Sequence, residues 1–63
     1  MRNKEWRVYK NSKSVKLVNA IIEAEELEVK VSYTVDMLGD SVIVIKGSTE
    51  EVNVLNEVYE MVA

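Results

Sequence analysis

The stretch Leu27 to Lys46, LEVKVSYTVDMLGDSVIVIK, is typical of a β-hairpin and decides the fold of this chain. From Leu27 to Met37 the odd positions are apolar and the even positions are polar, which is the alternation of a strand buried on one face. Gly39 and Asp40 follow, and a Gly-Asp pair favours a two-residue turn because glycine adopts a positive φ without a steric penalty. The next strand contains Val42 to Ile45, and four consecutive apolar residues indicate a strand covered on both faces.

One helix is predicted before this hairpin and one after it. Ser14 is a candidate N-cap for a first helix over about residues 15–25, because its hydroxyl can accept a hydrogen bond from a free backbone amide. Ser48 and Glu51 have the spacing of a capping box, which predicts a second helix over about residues 49–63. Both segments carry apolar residues at helical spacing, so each has one face to bury.

The basic N-terminal segment, residues 1–13, is predicted to be either an edge strand or a flexible arm. Apolar and polar residues alternate in EWRVYK, residues 5–10, which indicates a short strand. A position at the terminus is equally typical of an arm. Residues 1–16 have a net charge of +5, whereas residues 17–63 have a net charge of −8. Such asymmetry suits a nucleic-acid-binding arm, an electrostatic contact between subunits, or a solvated basic strand.

The predicted fold class is α+β, a two-layer β-α-β-β-α sandwich in which two helices cover one face of a small sheet. All 63 residues are expected to form a single domain. A strand order of 2-3-1 would place residues 41–46 at the centre, and this topology resembles a ferredoxin-like unit that lacks its last strand. The resemblance concerns topology alone and implies no function.

The register of the hairpin decides which side chains lie on the face without helices. A two-residue loop pairs Thr34 with Ile45 and places both Ile43 and Ile45 on that face. We therefore expect a protein interface that contains Ile43, Ile45, Thr34 and Trp6, because exposed isoleucines gain from being covered. The alternative is that Trp6, Tyr9 or the rest of the N-terminal segment folds over the isoleucines.

These features predict a small cytoplasmic protein that binds other proteins and is not an enzyme. The exposed isoleucines favour a homodimer, and a regulator or inhibitor that docks on a larger protein is a natural extension of that prediction. The rival prediction is a nucleic-acid-binding protein. In it, phosphate contacts and base stacking come from Arg2, Lys4, Trp6, Arg7 and Lys10.

Other classes of function have little support in the sequence. The chain has no cysteine and no histidine, which removes disulfides, thiolate chemistry and the usual zinc ligands. No apolar leader and no run of about 18 apolar residues is present, so neither secretion nor membrane spanning is predicted. No candidate nucleophile has a general base at a sequence spacing typical of catalytic sites, so we expect no catalytic residue, no metal and no cofactor. Glu50, Glu57 and Glu60 on the second helix leave open a further use, the imitation of a polyanion.

Overall fold

The computed structural model describes residues 2–63, which form a three-stranded antiparallel sheet and two helices. The strand that contains residues 41–46 is central, between the strands at residues 3–9 and 30–35, as predicted. The α+β class and the β-α-β-β-α order are confirmed. The elements are β1 (Asn3–Tyr9), α1 (Ser12–Ala24), β2 (Lys30–Val35), β3 (Ser41–Ser48) and α2 (Thr49–Val62).

β1 forms one edge of the sheet. It pairs antiparallel with β3, with Trp6 opposite Ile45 and Val8 opposite Ile43. β2 forms the other edge and is also antiparallel to β3. Of the segment predicted to be a strand or an arm, residues 3–9 form β1, and Met1 lies outside the described residues.

α1 begins three residues earlier than predicted, because Asn11 is its N-cap. The Asn11 side chain accepts a hydrogen bond from the Ser14 amide at 2.9 Å, and the Ser14 hydroxyl accepts one from the Asn11 amide at 2.9 Å. The Ser14 hydroxyl also donates to the Tyr9 carbonyl at 2.8 Å, and Ser14 is buried. The serine thereby fixes the start of α1 against the end of β1.

α2 begins at the predicted N-cap. The Ser48 hydroxyl accepts from the Glu51 amide at 3.3 Å, and it donates to the Glu51 carboxylate at 3.0 Å. The same carboxylate accepts a hydrogen bond from the Glu28 amide. Glu51 therefore links the first turn of α2 to the segment that leads into β2.

The core lies between the sheet and the two helices, with β1 closing one side. The Trp6 ring meets the Tyr59 ring edge to face, with 5.3 Å between ring centroids. Six buried apolar side chains form the centre of the core, two each from α1, β3 and α2: Val18 and Ile21, Ile43 and Ile45, and Val52 and Leu55.

The loop of the hairpin has three residues, Met37 to Gly39, and the predicted two-residue Gly39-Asp40 turn is wrong. The Gly39 amide donates to the Asp36 carbonyl at 3.1 Å, and the Asp36 amide donates to the Asp40 carbonyl at 2.9 Å. Gly39 has a φ of 86°, in the left-handed region that glycine adopts readily. A left-handed residue at this position is typical of three-residue hairpin loops.

This loop length reverses the two faces of β3 relative to the prediction. Thr34 was expected opposite Ile45 and lies opposite Val42 instead. The shift from position 45 to position 42 is an odd number of residues, and an odd shift exchanges the faces of a strand. Ile43 and Ile45 therefore point toward the helices and are 1% and 0% exposed, while Val42 and Val44 point away from them.

Candidate protein-binding surface

The four residues predicted to form a protein interface do not share an exposed face. Ile43 and Ile45 are in the core beneath the helices, so the prediction that they contact a partner is wrong. Trp6 lies on the helix side of the sheet, half-buried against Tyr59. Thr34 alone of the four is exposed on the face that no helix covers.

That face, called here the helix-free face, has small apolar side chains in its middle. Val42 and Val44 occupy the central strand and are only 6% and 5% exposed, because the edge strands place other side chains on both sides of them. Alternation along each strand gives the membership of the face. From the hairpin downward its rows across β1, β3 and β2 are Tyr9, Val42 and Thr34, then Arg7, Val44 and Ser32, then Glu5, Lys46 and Lys30.

The two ends of the helix-free face carry opposite charge. Lys46 lies opposite Lys30 at one end. Asp36 and Asp40 form the last pair of the hairpin at the other end, and the same alternation puts them on the helix-free face. A strand rises about 3.3 Å per residue, so positions 40 and 46 are about 20 Å apart along β3.

Glu5 is an acidic residue at the lysine end. Its carboxylate lies 2.8 Å from Arg7 Nε and 3.6 Å from Lys46 Nζ. The hydrogen bond from Arg7, with smaller contributions from the charges of Arg7 and Lys46, lowers the pKa of Glu5 below its ordinary value of 4.5. Within residues 2–63 no carboxylate forms an ion pair with Lys30, so this end keeps net positive charge.

A shallow cavity of about 360 Å³ opens on the helix-free face near the hairpin loop. It is lined by Arg7, Val8, Tyr9, Asp36 and Val42. This volume is at the low end of ligand pockets, which occupy about 300–1,000 Å³. Its lining combines an apolar floor with one guanidinium and one carboxylate, which suits a side chain from another protein.

The hairpin end, defined as Tyr33, Val35, Met37 and Leu38, exposes large apolar side chains. Met37 is fully exposed and Leu38 is 84% exposed. The backbone that carries them is held in place, because Oδ1 of Asp36 accepts hydrogen bonds from the Leu38 and Asp40 amides, each at 2.9 Å. Apolar side chains presented together on an ordered loop are typical of protein contact sites.

The cations of the nucleic-acid alternative do not form one basic surface. Arg7 lies on the helix-free face, whereas Lys4 and Lys10 lie on the helix side because the side chains of β1 alternate. The Lys4 ammonium donates to Oδ1 of Asn53 at 2.6 Å. The Lys10 ammonium lies 4.8 Å from the centroid of the Tyr33 ring.

Of the remaining two residues of that alternative, Trp6 is occupied within the protein through its ring and Arg2 is bonded through its backbone. The Trp6 ring packs against Tyr59, whereas base stacking needs an exposed ring face. Arg2 precedes β1, and its carbonyl accepts a hydrogen bond from the Thr49 amide at 3.1 Å. The structure therefore separates the five residues that the alternative groups together.

Sequence reasoning missed four residues that characterise this surface: Met37, Leu38, Val42 and Val44. A signal for them was present in the hairpin. Asp36 and Gly39 stand at the first and fourth positions of a turn, where aspartate and glycine are favoured. This spacing predicts a turn over residues 36–39, and it would have set the register that the structure has.

Comparison with protein-family models, with curated proteins and with solved structures gave no match. In the described part of the chain, neither helix is long and apolar enough to cross a bilayer. The same residues contain no cluster of three or more acidic, histidine or cysteine side chains that could hold a metal ion. The function is therefore inferred from the geometry of the sheet surface.

Proposed function

We propose that this protein is a non-catalytic protein-binding module that works as a homodimer, in which the helix-free faces of two copies meet. One observation carries the proposal. Both helices pack on one side of the sheet, whereas the other side, where Val42 and Val44 lie nearly buried among the side chains of the edge strands, has no second layer. A chain of this size buries only about 60% of the surface of its unfolded form, so self-association is a direct route to further burial.

The hairpin end extends the proposal to a larger protein target. Met37 and Leu38 project from a loop whose backbone Asp36 already holds in place, so binding costs the entropy of the two side chains but little backbone entropy. An apolar pocket on the target would accept both side chains. A regulator or inhibitor would act through such docking, and a cytoplasmic location is part of the proposal.

Self-association is tested by light scattering and sedimentation equilibrium of the full chain over a wide range of concentrations. The expected mass rises toward twice the 7.2 kDa of the chain. Thr34→Arg puts a long cation on the helix-free face and is expected to shift the mass toward the monomer. Asn19→Arg, an exposed position of α1, is the matched control and should leave the dimer unchanged. A wild-type chain that stays monomeric at every concentration would overturn the proposal.

Docking through the hairpin end is tested separately. Wild-type protein and the double variant Met37→Ser with Leu38→Ser are used to capture proteins from an extract, and a captured candidate is then purified and titrated by calorimetry. The target should bind the wild type and lose at least tenfold in affinity for the double variant. Met61→Ser removes another exposed methionine, from the end of α2, and should bind normally. Equal binding by all three proteins would remove the hairpin end from the proposal.

A further inference from the structure

We infer that the two copies meet in one specific register, with their central strands antiparallel across the interface and Lys46 of each copy facing Asp40 of the other. The inference rests on the proposed function, since it requires two helix-free faces to meet, and it adds the geometry of that contact. It is carried by the order of charged and apolar rows along the face.

Along β3 and its continuation into the hairpin, alternation gives the helix-free face four rows in the order Lys46, Val44, Val42 and Asp40, with the two valines nearly buried between the edge strands. Successive rows are two residues apart, which is about 7 Å. A cation and a carboxylate thus bracket two valines. Reading the rows in the opposite direction exchanges the positions of the cation and the carboxylate.

The charge pattern selects the direction of the two-fold axis. An axis parallel to the strands would set Asp40 against Asp40 of the second copy and Lys46 against Lys46, which is repulsive. Only at the lysine end would Glu5, facing Lys30 of the second copy, offset that repulsion. A two-fold axis that lies between the two sheets and is perpendicular to the strands reverses the order of the rows in the second copy. The lysine end of each copy then covers the aspartate end of the other, and the contact is attractive at both ends.

The same pattern fixes the position of that axis. When the axis passes midway between the rows of Val42 and Val44, each Val42 faces Val44 of the second copy and each Lys46 faces Asp40. An axis on the Val44 row would set Lys46 against Val42, and an axis on the Val42 row would set Asp40 against Val44. Either shift places a charge against an apolar side chain without a partner, which costs free energy.

The edge strands fit the same arrangement. On β2, Lys30 faces Asp36 of the second copy, and the two small hydroxyl residues between them face each other. On β1, Arg7 faces Tyr9 of the second copy, where a guanidinium can lie against the exposed phenol ring. All three strands therefore support one register, although β3 alone was used to choose it.

The size of the contact predicts a reversible dimer. Three strands about 4.8 Å apart and four rows about 7 Å apart define a patch of roughly 400 Å² on each copy. The two copies together then bury roughly 800 Å², without counting the projection of the side chains. This area is below the limit of about 1,000 Å² for a stable specific interface and is typical of a weak, transient contact. The dimer population should accordingly depend on protein concentration.

The register is tested by reciprocal charge reversal. Lys46→Glu and Asp40→Lys should each weaken self-association roughly tenfold or more, because each sets like charges face to face twice per dimer. An equimolar mixture of the two variants should form a heterodimer of near wild-type strength, since opposite charges then face each other at every site. Lys16→Glu and Glu57→Lys make the same charge changes on the exposed sides of the helices and should have no effect.

Each outcome bears on a different claim. A dimer whose single variants are not rescued by mixing would overturn this register and leave the homodimer of the proposed function standing. A chain that is monomeric at every concentration would overturn both. A second measurement needs no variant: raising the salt concentration should weaken the wild-type dimer, because charge pairs at its rim are screened. Association that is indifferent to salt would also overturn the register.

Discussion

Asp36 and Asp40 face each other at the base of the hairpin loop, where the Asp36 amide donates to the Asp40 carbonyl and the Asp36 carboxylate accepts from the Asp40 amide, both at 2.9 Å. The same carboxylate oxygen accepts from the Leu38 amide at 2.9 Å. A single side chain thus holds the three-residue loop. Loop length in turn decides which face of β3 meets the helices.

Replacing Asp36 tests this role. Asp36→Ala removes both hydrogen bonds to the loop amides and should lower the free energy of unfolding by about 1–2 kcal/mol, as the loss of a capping side chain does. Asp36→Asn keeps the accepting oxygen and should stay close to the wild type. Denaturant titration below the concentration at which dimers form provides the measurement. An equal loss of unfolding free energy in Asp36→Ala and Asp36→Asn would show that the carboxylate does not hold the loop through these hydrogen bonds.

Ile43→Asp tests the burial of β3. The substitution puts a carboxylate among the core side chains of both helices, and a core of this size rarely supplies more than about 3–5 kcal/mol of stability. The variant should therefore be unfolded by circular dichroism. Thr34→Asp, on the helix-free face, should remain folded. A folded Ile43→Asp protein would contradict the observed register.

Glu26→Gly should stabilise the protein. Glu26 follows α1 with a φ of 51°, a left-handed conformation that costs a non-glycine residue roughly 1–2 kcal/mol. Glycine removes that strain and loses part of the gain through its flexible unfolded state, so the expected increase is about 0.5–1 kcal/mol. Glu25→Gly, one residue earlier at a φ of −93°, should give no increase. Equal melting temperatures for Glu26→Gly and Glu25→Gly would contradict this explanation.

The lowered pKa of Glu5 has a defined pH dependence. A carboxyl whose pKa is lower in the folded state contributes stability above its unfolded pKa of about 4.5, and the contribution is lost as the pH falls through the folded-state pKa. NMR titration should find the pKa of Glu5 below 4.5 in the wild type and raised in Arg7→Gln. Lys46→Gln should raise it less, since that ammonium lies 3.6 Å away. A larger rise of the Glu5 pKa in Lys46→Gln than in Arg7→Gln would assign the lowered pKa mainly to Lys46.

Binding to nucleic acid is expected to be weak, because the cations of the N-terminal segment are divided between two faces. A labelled oligonucleotide should show little retention, and the triple change Lys4→Gln, Arg7→Gln and Lys10→Gln should affect it no more than three substitutions elsewhere. The measurement is a fluorescence anisotropy titration at two salt concentrations. Tight binding that falls steeply with salt and is lost in the triple variant would favour the nucleic-acid alternative.

The order of elements was predictable from sequence because each element carries a local signal. Ser48 and Glu51 predicted the start of α2, and the apolar run of Val42 to Ile45 predicted a central strand, all four residues of which are buried. That same run made the candidate site hard to predict. Both faces of β3 are apolar, so its own sequence does not indicate which face points toward the helices. That assignment depends wholly on the number of residues in the hairpin loop.

The start of α1 was misplaced for a related reason. Asn11 and Ser14 are both good N-cap residues, and in the structure each accepts a hydrogen bond from the amide of the other. The prediction named Ser14 alone, and no local feature of the sequence favours Asn11 over it. The choice depends on the contact of Ser14 with the Tyr9 carbonyl, which exists only once β1 is in place.

β3 is the central strand only because β1, from the first ten residues, pairs with one of its edges. Proteolytic removal of β1 would leave Val42 to Ile45 at an edge, with one row of backbone amides and carbonyls free to hydrogen-bond to another chain. A run of valine and isoleucine in that condition is a template for amyloid-like stacking. β1 therefore also covers a strand edge of this aggregation-prone composition, and cleavage within β1 is expected to promote fibril formation.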